Sequence, residues 1–99
     1  MSASINRRLE QYTIKRPQEV LVVAAQVEGE SDQVMIFRGF SSSLVRPTAF
    51  DPDVPVLPDE AVIVQIDRVE GPYDPQQPRY IAQGLSWPEM AALLDEVGV

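Results

Sequence analysis

Nine consecutive residues, Glu19 to Val27 (EVLVVAAQV), carry apolar side chains at odd and even positions alike. A strand with one wet face alternates apolar and polar residues, and for much of its length this segment does not. It therefore reads as a central strand covered on each side. The rest of the chain must supply that cover. Glu28 to Asp32 has the length and residue types of a hairpin loop, and residues 33–40 then return as the antiparallel partner. Gly39, between Phe37 and Phe40, marks a bulge or a close backbone approach at the strand end. Ser41, Ser42 and Ser43 are expected to form a turn, with Leu44 and Val45 re-entering the core.

On either side of this hairpin the signals are helical. Ile5, Leu9 and Tyr12 fall on one face of a short helix, with Ser4 as its N-cap and Arg7, Arg8 and Glu10 outward; Pro17 ends it. At the other end, Ser86 and Glu89 form a capping box, with Leu85 and Met90 positioned as its staple. Pro88 occupies the first turn, Trp87, Met90, Ala91 and Leu94 the apolar face, and Gly98 the stop. Between hairpin and last helix, residues 61–69 form a third strand. Strict alternation there puts Val62, Val64 and Ile66 on one face, and Tyr80 and Ile81 add a short edge strand. The prolines at 52, 55 and 58 recur at the three-residue period of polyproline II and make residues 51–60 a stiff crossing arm. The fold class expected is α+β, a small antiparallel sheet of three to four strands with short N- and C-terminal helices over one face. A small SH3-like or OB-like β-barrel is the alternative, given the short strands and frequent Pro and Gly breaks. Ninety-nine residues make one globular domain, 1–99, with residues 1–4 a flexible tail.

The residue inventory bears directly on chemistry. The chain has no histidine and no cysteine, which removes Ser-His dyads, disulfides and the usual zinc sites. The acids of residues 51–60 lack the spacing and glycine of a calcium loop. Asp67 beside Arg68 reads as a surface or structural ion pair rather than as an acid–base site. No catalytic residue, metal or cofactor is implied, and an enzyme is not expected. The longest apolar run, Val20 to Ala25, falls far short of the ~20 residues that span a bilayer. The N-terminus lacks a signal-peptide core, so the expected location is the cytoplasm or a chloroplast stroma.

Residues Gln33 to Leu44, Arg46 to Pro58, Ile66 to Pro75 and Gly84 to Trp87, taken together, resemble a family of small uncharacterised proteins of cyanobacteria and chloroplasts. The resemblance covers most of the chain and implies a setting, an oxygenic phototroph, in which many small proteins are accessory or assembly factors. It carries no catalytic residue with it.

Two functions compete. The first is a non-enzymatic accessory module that docks on a larger protein or complex, using Arg38, Phe40, Ser41, Ser42, Ser43 and Arg46, with Trp87 if exposed. Arginine and aromatic side chains most often dominate interface energy. The second is RNA or single-stranded nucleic-acid binding through Phe37-Arg38-Gly39-Phe40, a fragment of an aromatic sheet motif. The charge distribution weighs against it. Net charge is -7, and residues 51–99 hold ten acidic and two basic side chains, whereas residues 1–50 hold five and six.

Overall fold

A computed structural model describes residues 4–27, 29–43, 57, 61–74 and 76–99. The elements run α1 (Ile5–Lys15), β1 (Glu19–Val27), β2 (Glu30–Phe37), β3 (Phe40–Ser43), β4 (Val62–Glu70), β5 (Tyr80–Leu85) and α2 (Trp87–Val97). The strands form one sheet in the order β3-β2-β1-β4-β5, every neighbouring pair antiparallel. The doubly apolar strand is thus the middle one, with both of its edges paired.

The two parities of β1 serve two different environments. Leu21, Val23 and Ala25 face both helices and meet Leu9 and Tyr12 of α1 and Met90 and Leu94 of α2 in the main core. Val20 and Val22, with Val69, form a second, smaller cluster on the opposite face, where Met35, Phe37 and Tyr73 pack against them. The helices therefore cover one face only, as an α+β arrangement requires.

Local chemistry fixes the helix ends. The Ser4 side chain accepts from the Arg7 N–H at 3.1 Å at the start of α1, which stops at Lys15 before Pro17. In α2, Ser86 Oγ accepts from the Glu89 N–H while the Glu89 carboxylate accepts from the Ser86 N–H. At its other end Gly98 adopts φ 89°, and the Gly98 and Val99 N–H groups both bond back to the Leu94 carbonyl. Such a left-handed closure costs a glycine little. Arg8 faces inward across the helix pair rather than outward. Its Nη2 bonds Asp95 Oδ1 at 2.8 Å and the Val99 carbonyl at 3.1 Å, joining α1 to the C-terminal end of α2.

Five expectations need correction. The sheet has five strands, not three to four, and Ser41 to Ser43 lie in β3 rather than in a turn. The reversal happens earlier, at Arg38 and Gly39, whose φ values of 48° and 84° leave Phe37 and Phe40 paired across a two-residue connection. Positive φ at both central residues is the hairpin geometry whose twist matches that of its strands. Likewise Val27 pairs with Glu30, so the β1–β2 connection is two residues long and Asp32 is a buried strand residue. In β4, the register against β1 shifts between Ala24 and Ala25, with Gln65 opposite the first and Ile63 opposite the second. The extra residue, Val64, breaks the alternation. Ile63 and Ile66 face the helices while Val62 and Val64 are exposed. Finally, the sheet is open rather than a barrel: among the described residues β3 pairs only with β2, and β5 only with β4. Of the proline arm, only Leu57 is described; it is fully buried in the helix-side core, and its N–H donates to Asn6 Oδ1 at 2.8 Å. Prolines 52, 55 and 58 lie outside the described residues.

Candidate docking face

The register aligns one row of side chains across all five strands on the helix-free face. Phe40 pairs with Phe37, Phe37 with Val20, Val20 with Val69, and Val69 with Tyr80. Four strand spacings make this row ~19 Å long. Its centre is buried, with Val69 fully so, while its ends are not: Phe40 is 78% exposed and Tyr80 45%. Above the centre, the chain leaving β4 runs through Gly71, Pro72 and Tyr73, tied down where the Gly71 N–H donates to the Gln18 carbonyl at 2.6 Å. Tyr73 and Pro72, with Val20, Met35 and Phe37, line an apolar depression of about 200 Å³. On the far side of Pro72 a polar depression of about 210 Å³ is lined by Gly71, Asp74, Gln77 and Arg79. The Arg38 guanidinium lies 5.1 Å from the centre of the Phe37 ring, within cation–π reach.

The residues that sequence reasoning selected divide between two faces. Arg38 and Phe40 come together at one end of the aromatic row, and exposed Ser42 pairs with Met35 on the same face. Ser41 and Ser43 point the other way and are used internally. Ser41 donates to Glu10 Oε2 at 2.8 Å and accepts from Asn6 Nδ2 at 3.2 Å, while Ser43 donates to Asp32 Oδ1 at 2.9 Å. Trp87 is half-buried against the helix-side core, where it anchors α2 to the sheet. Arg46 lies outside the described residues. Met35, Tyr73, Arg79 and Tyr80 were not selected from sequence. Met35 lies within β2, Tyr80 opens β5, and Tyr73 and Arg79 lie in the connection between β4 and β5; the register that gathers them is a property of the folded sheet.

Polar groups on the helix side bond to one another. Glu19 Oε1 accepts from Tyr12 Oη at 2.8 Å and from Arg68 Nε at 2.9 Å. Burial, then the hydrogen bond to Glu19 and its negative charge, push the Tyr12 hydroxyl up to about 12. The hydrogen bond to Glu19 likewise raises Arg68. Asp67 does not pair with its neighbour; it projects from the opposite face and accepts from the Gly84 N–H at 2.8 Å. Among the described residues no three acidic, histidine or cysteine side chains converge as metal ligands. No helix there is long and apolar enough to cross a membrane.

An open antiparallel sheet backed by two helices on one face, with an aromatic-ended row beside an apolar depression on the other, is the class of protein these features define. Residues 6–94 match the model of a domain of unknown function, DUF7734, and the chain belongs to that family. No curated protein and no solved structure matches it.

Proposed function

We propose that the chain is a non-enzymatic interaction module that docks on a larger protein through the helix-free face of its sheet. One observation supports this above the others: a row of side chains crosses five strands, buried at its centre and capped at both ends by exposed aromatic rings. Apolar surface left open beside a small sealed cluster is what a partner covers. The polar groups of the helix side, by contrast, satisfy one another. The setting we infer is an accessory or assembly role in the cytoplasm of an oxygenic phototroph or in a chloroplast stroma, supported by the family resemblance of the β2–β3 and β4–β5 segments.

Affinity capture from the cells that express the protein tests this reading. The bait is compared with a Phe40→Ser/Tyr80→Ser variant, with and without nuclease. A protein partner that survives nuclease and is lost with the variant is the expected result. Identical captures by both baits would overturn the reading. Loss on nuclease treatment would transfer this face to single-stranded nucleic acid, for which the exposed rings of Phe40 and Tyr80 are the relevant feature.

A further inference from the structure

The cations of the chain are not placed as its net charge of -7 suggests. Lys15 and Arg16 close α1 immediately before β1, Arg38 sits in the β2–β3 connection, and Arg79 immediately precedes β5. Val20 pairs with both Phe37 and Val69, Val69 pairs with Tyr80, and the Glu70 N–H donates to the Arg79 carbonyl. All four cations are therefore delivered to the same end of the sheet, the end that carries the aromatic row. All four are exposed, and among the described residues none forms an ion pair. The acids at that end are Glu19, already engaged by Tyr12 and Arg68, and exposed Glu70 and Asp74. The opposite end of the β1–β2 hairpin carries Glu30 and Asp32. Among the described residues the sheet is thus polarised along its strands, with cations gathered at one end.

We infer that the partner presents an acidic segment carrying a bulky apolar side chain, which enters the depression between Phe37 and Tyr73 while flanking carboxylates meet Arg38 and Arg79. This rests on the docking reading of the same face and adds the chemistry of the occupant. Arginine favours carboxylates through paired N–H donors. The negative remainder of the chain repels an acidic segment everywhere except at this end, which orients the encounter. Single-stranded nucleic acid fits less well. The Phe37 ring already carries Arg38, the two exposed rings stand ~19 Å apart across the row, and the depression is an apolar well rather than a flat stacking platform.

The test is an amide-shift titration of the full chain, labelled with nitrogen-15. The ligands are a pentapeptide with one phenylalanine between pairs of glutamates, the same peptide with lysines for glutamates, and single-stranded oligouridine. The glutamate peptide is expected to shift the amides of Phe37, Arg38, Phe40 and Tyr80. Its affinity should fall about tenfold as ionic strength rises from ~0.01 to ~0.15 M, where the screening length shrinks from ~30 to ~8 Å. An Arg38→Asn/Arg79→Gln variant should lose a further factor of about ten relative to the native chain. The salt dependence, read on the native chain, stands even if that variant fails to fold. Equal or tighter binding of the lysine peptide would overturn the charge assignment and leave the docking face intact. Tighter binding of oligouridine at these amides would replace the occupant with nucleic acid. No shift from any ligand would overturn the inference, and the capture experiment would then decide the docking reading separately.

Discussion

Glu19 is the residue on which the helix side of the molecule turns. Its carboxylate is buried at the first position of the central strand, and one oxygen accepts both the Tyr12 hydroxyl and the Arg68 guanidinium. Removing one partner of a buried ion pair leaves the other charge uncompensated, at a cost of 3–5 kcal/mol where both are fully buried. Arg68 retains some contact with solvent, so Glu19→Gln should cost about 2 kcal/mol, read as a lower midpoint in urea unfolding. The same site gives the fold an alkaline limit. Tyr12 ionises near 10 in the unfolded chain but only at about 12 when folded. Its contribution is fully present below pH 10 and is lost as pH rises to about 12, because only the unfolded chain releases the proton in that window. Urea midpoints measured across that range should fall in the native chain and fall less in Tyr12→Phe. Equal slopes in the two proteins would show that Tyr12 is not the group responsible.

At the scale of elements, what was legible in the sequence depended on whether a signal was local. The cap of α2 was, since Ser86 and Glu89 are three residues apart and satisfy each other's orphan groups. Ser86→Ala should therefore lower stability by about 1 kcal/mol. It should also return the Glu89 carboxyl, now held below its ordinary range by the Ser86 N–H and hydroxyl, toward the usual value in a carboxylate titration followed by NMR. Gly39 was legible as a close approach without its partner. A Cβ there would stand 2.9 Å from Ile14 Cγ1, at φ 84°, and the Gly39 N–H already donates to Thr13 Oγ1. Gly39→Ala should cost more than about 1 kcal/mol in the same unfolding assay. β3 was not legible. Its three serines have little strand propensity, and the segment pairs because Arg38 and Gly39 reverse the chain onto β2. Nor was the bulge at Val64, which exists only in the register of β4 against β1. The candidate site followed the same rule. Arg38 and Phe40 were visible as neighbours in sequence, whereas Tyr80 joins them through a register that crosses four strand pairs.

Across the described residues the two faces of β1 differ in what they bury, and the docking proposal assigns recognition to the face that buries less. The larger share of what holds the fold lies on the helix side: the main core, the Glu19 network, Asn6 bridging Ser41 to Leu57, and Arg8 clasping α2. The other face buries only a small valine cluster and leaves its aromatic ends in solvent. The sheet edges beside that face offer little for strand addition. β3 is four residues long, and β5 departs twice from regular register against β4, with Gly84 at φ 66° twisting it further. A partner of the kind proposed would therefore be met by side chains rather than by backbone pairing. Mutational effects should separate accordingly. Leu94→Ala, which empties a fully buried position between helix and sheet, should cost 2–5 kcal/mol. Phe40→Ser, at a position with most of its surface in water, should change stability by less than about 0.5 kcal/mol, while abolishing partner capture. Denaturant unfolding of the two variants beside the native chain measures the first quantity, and capture measures the second. A Phe40→Ser protein that unfolds as readily as Leu94→Ala would mean that the ring is covered by the chain itself, and the helix-free face would lose its claim as the surface of recognition.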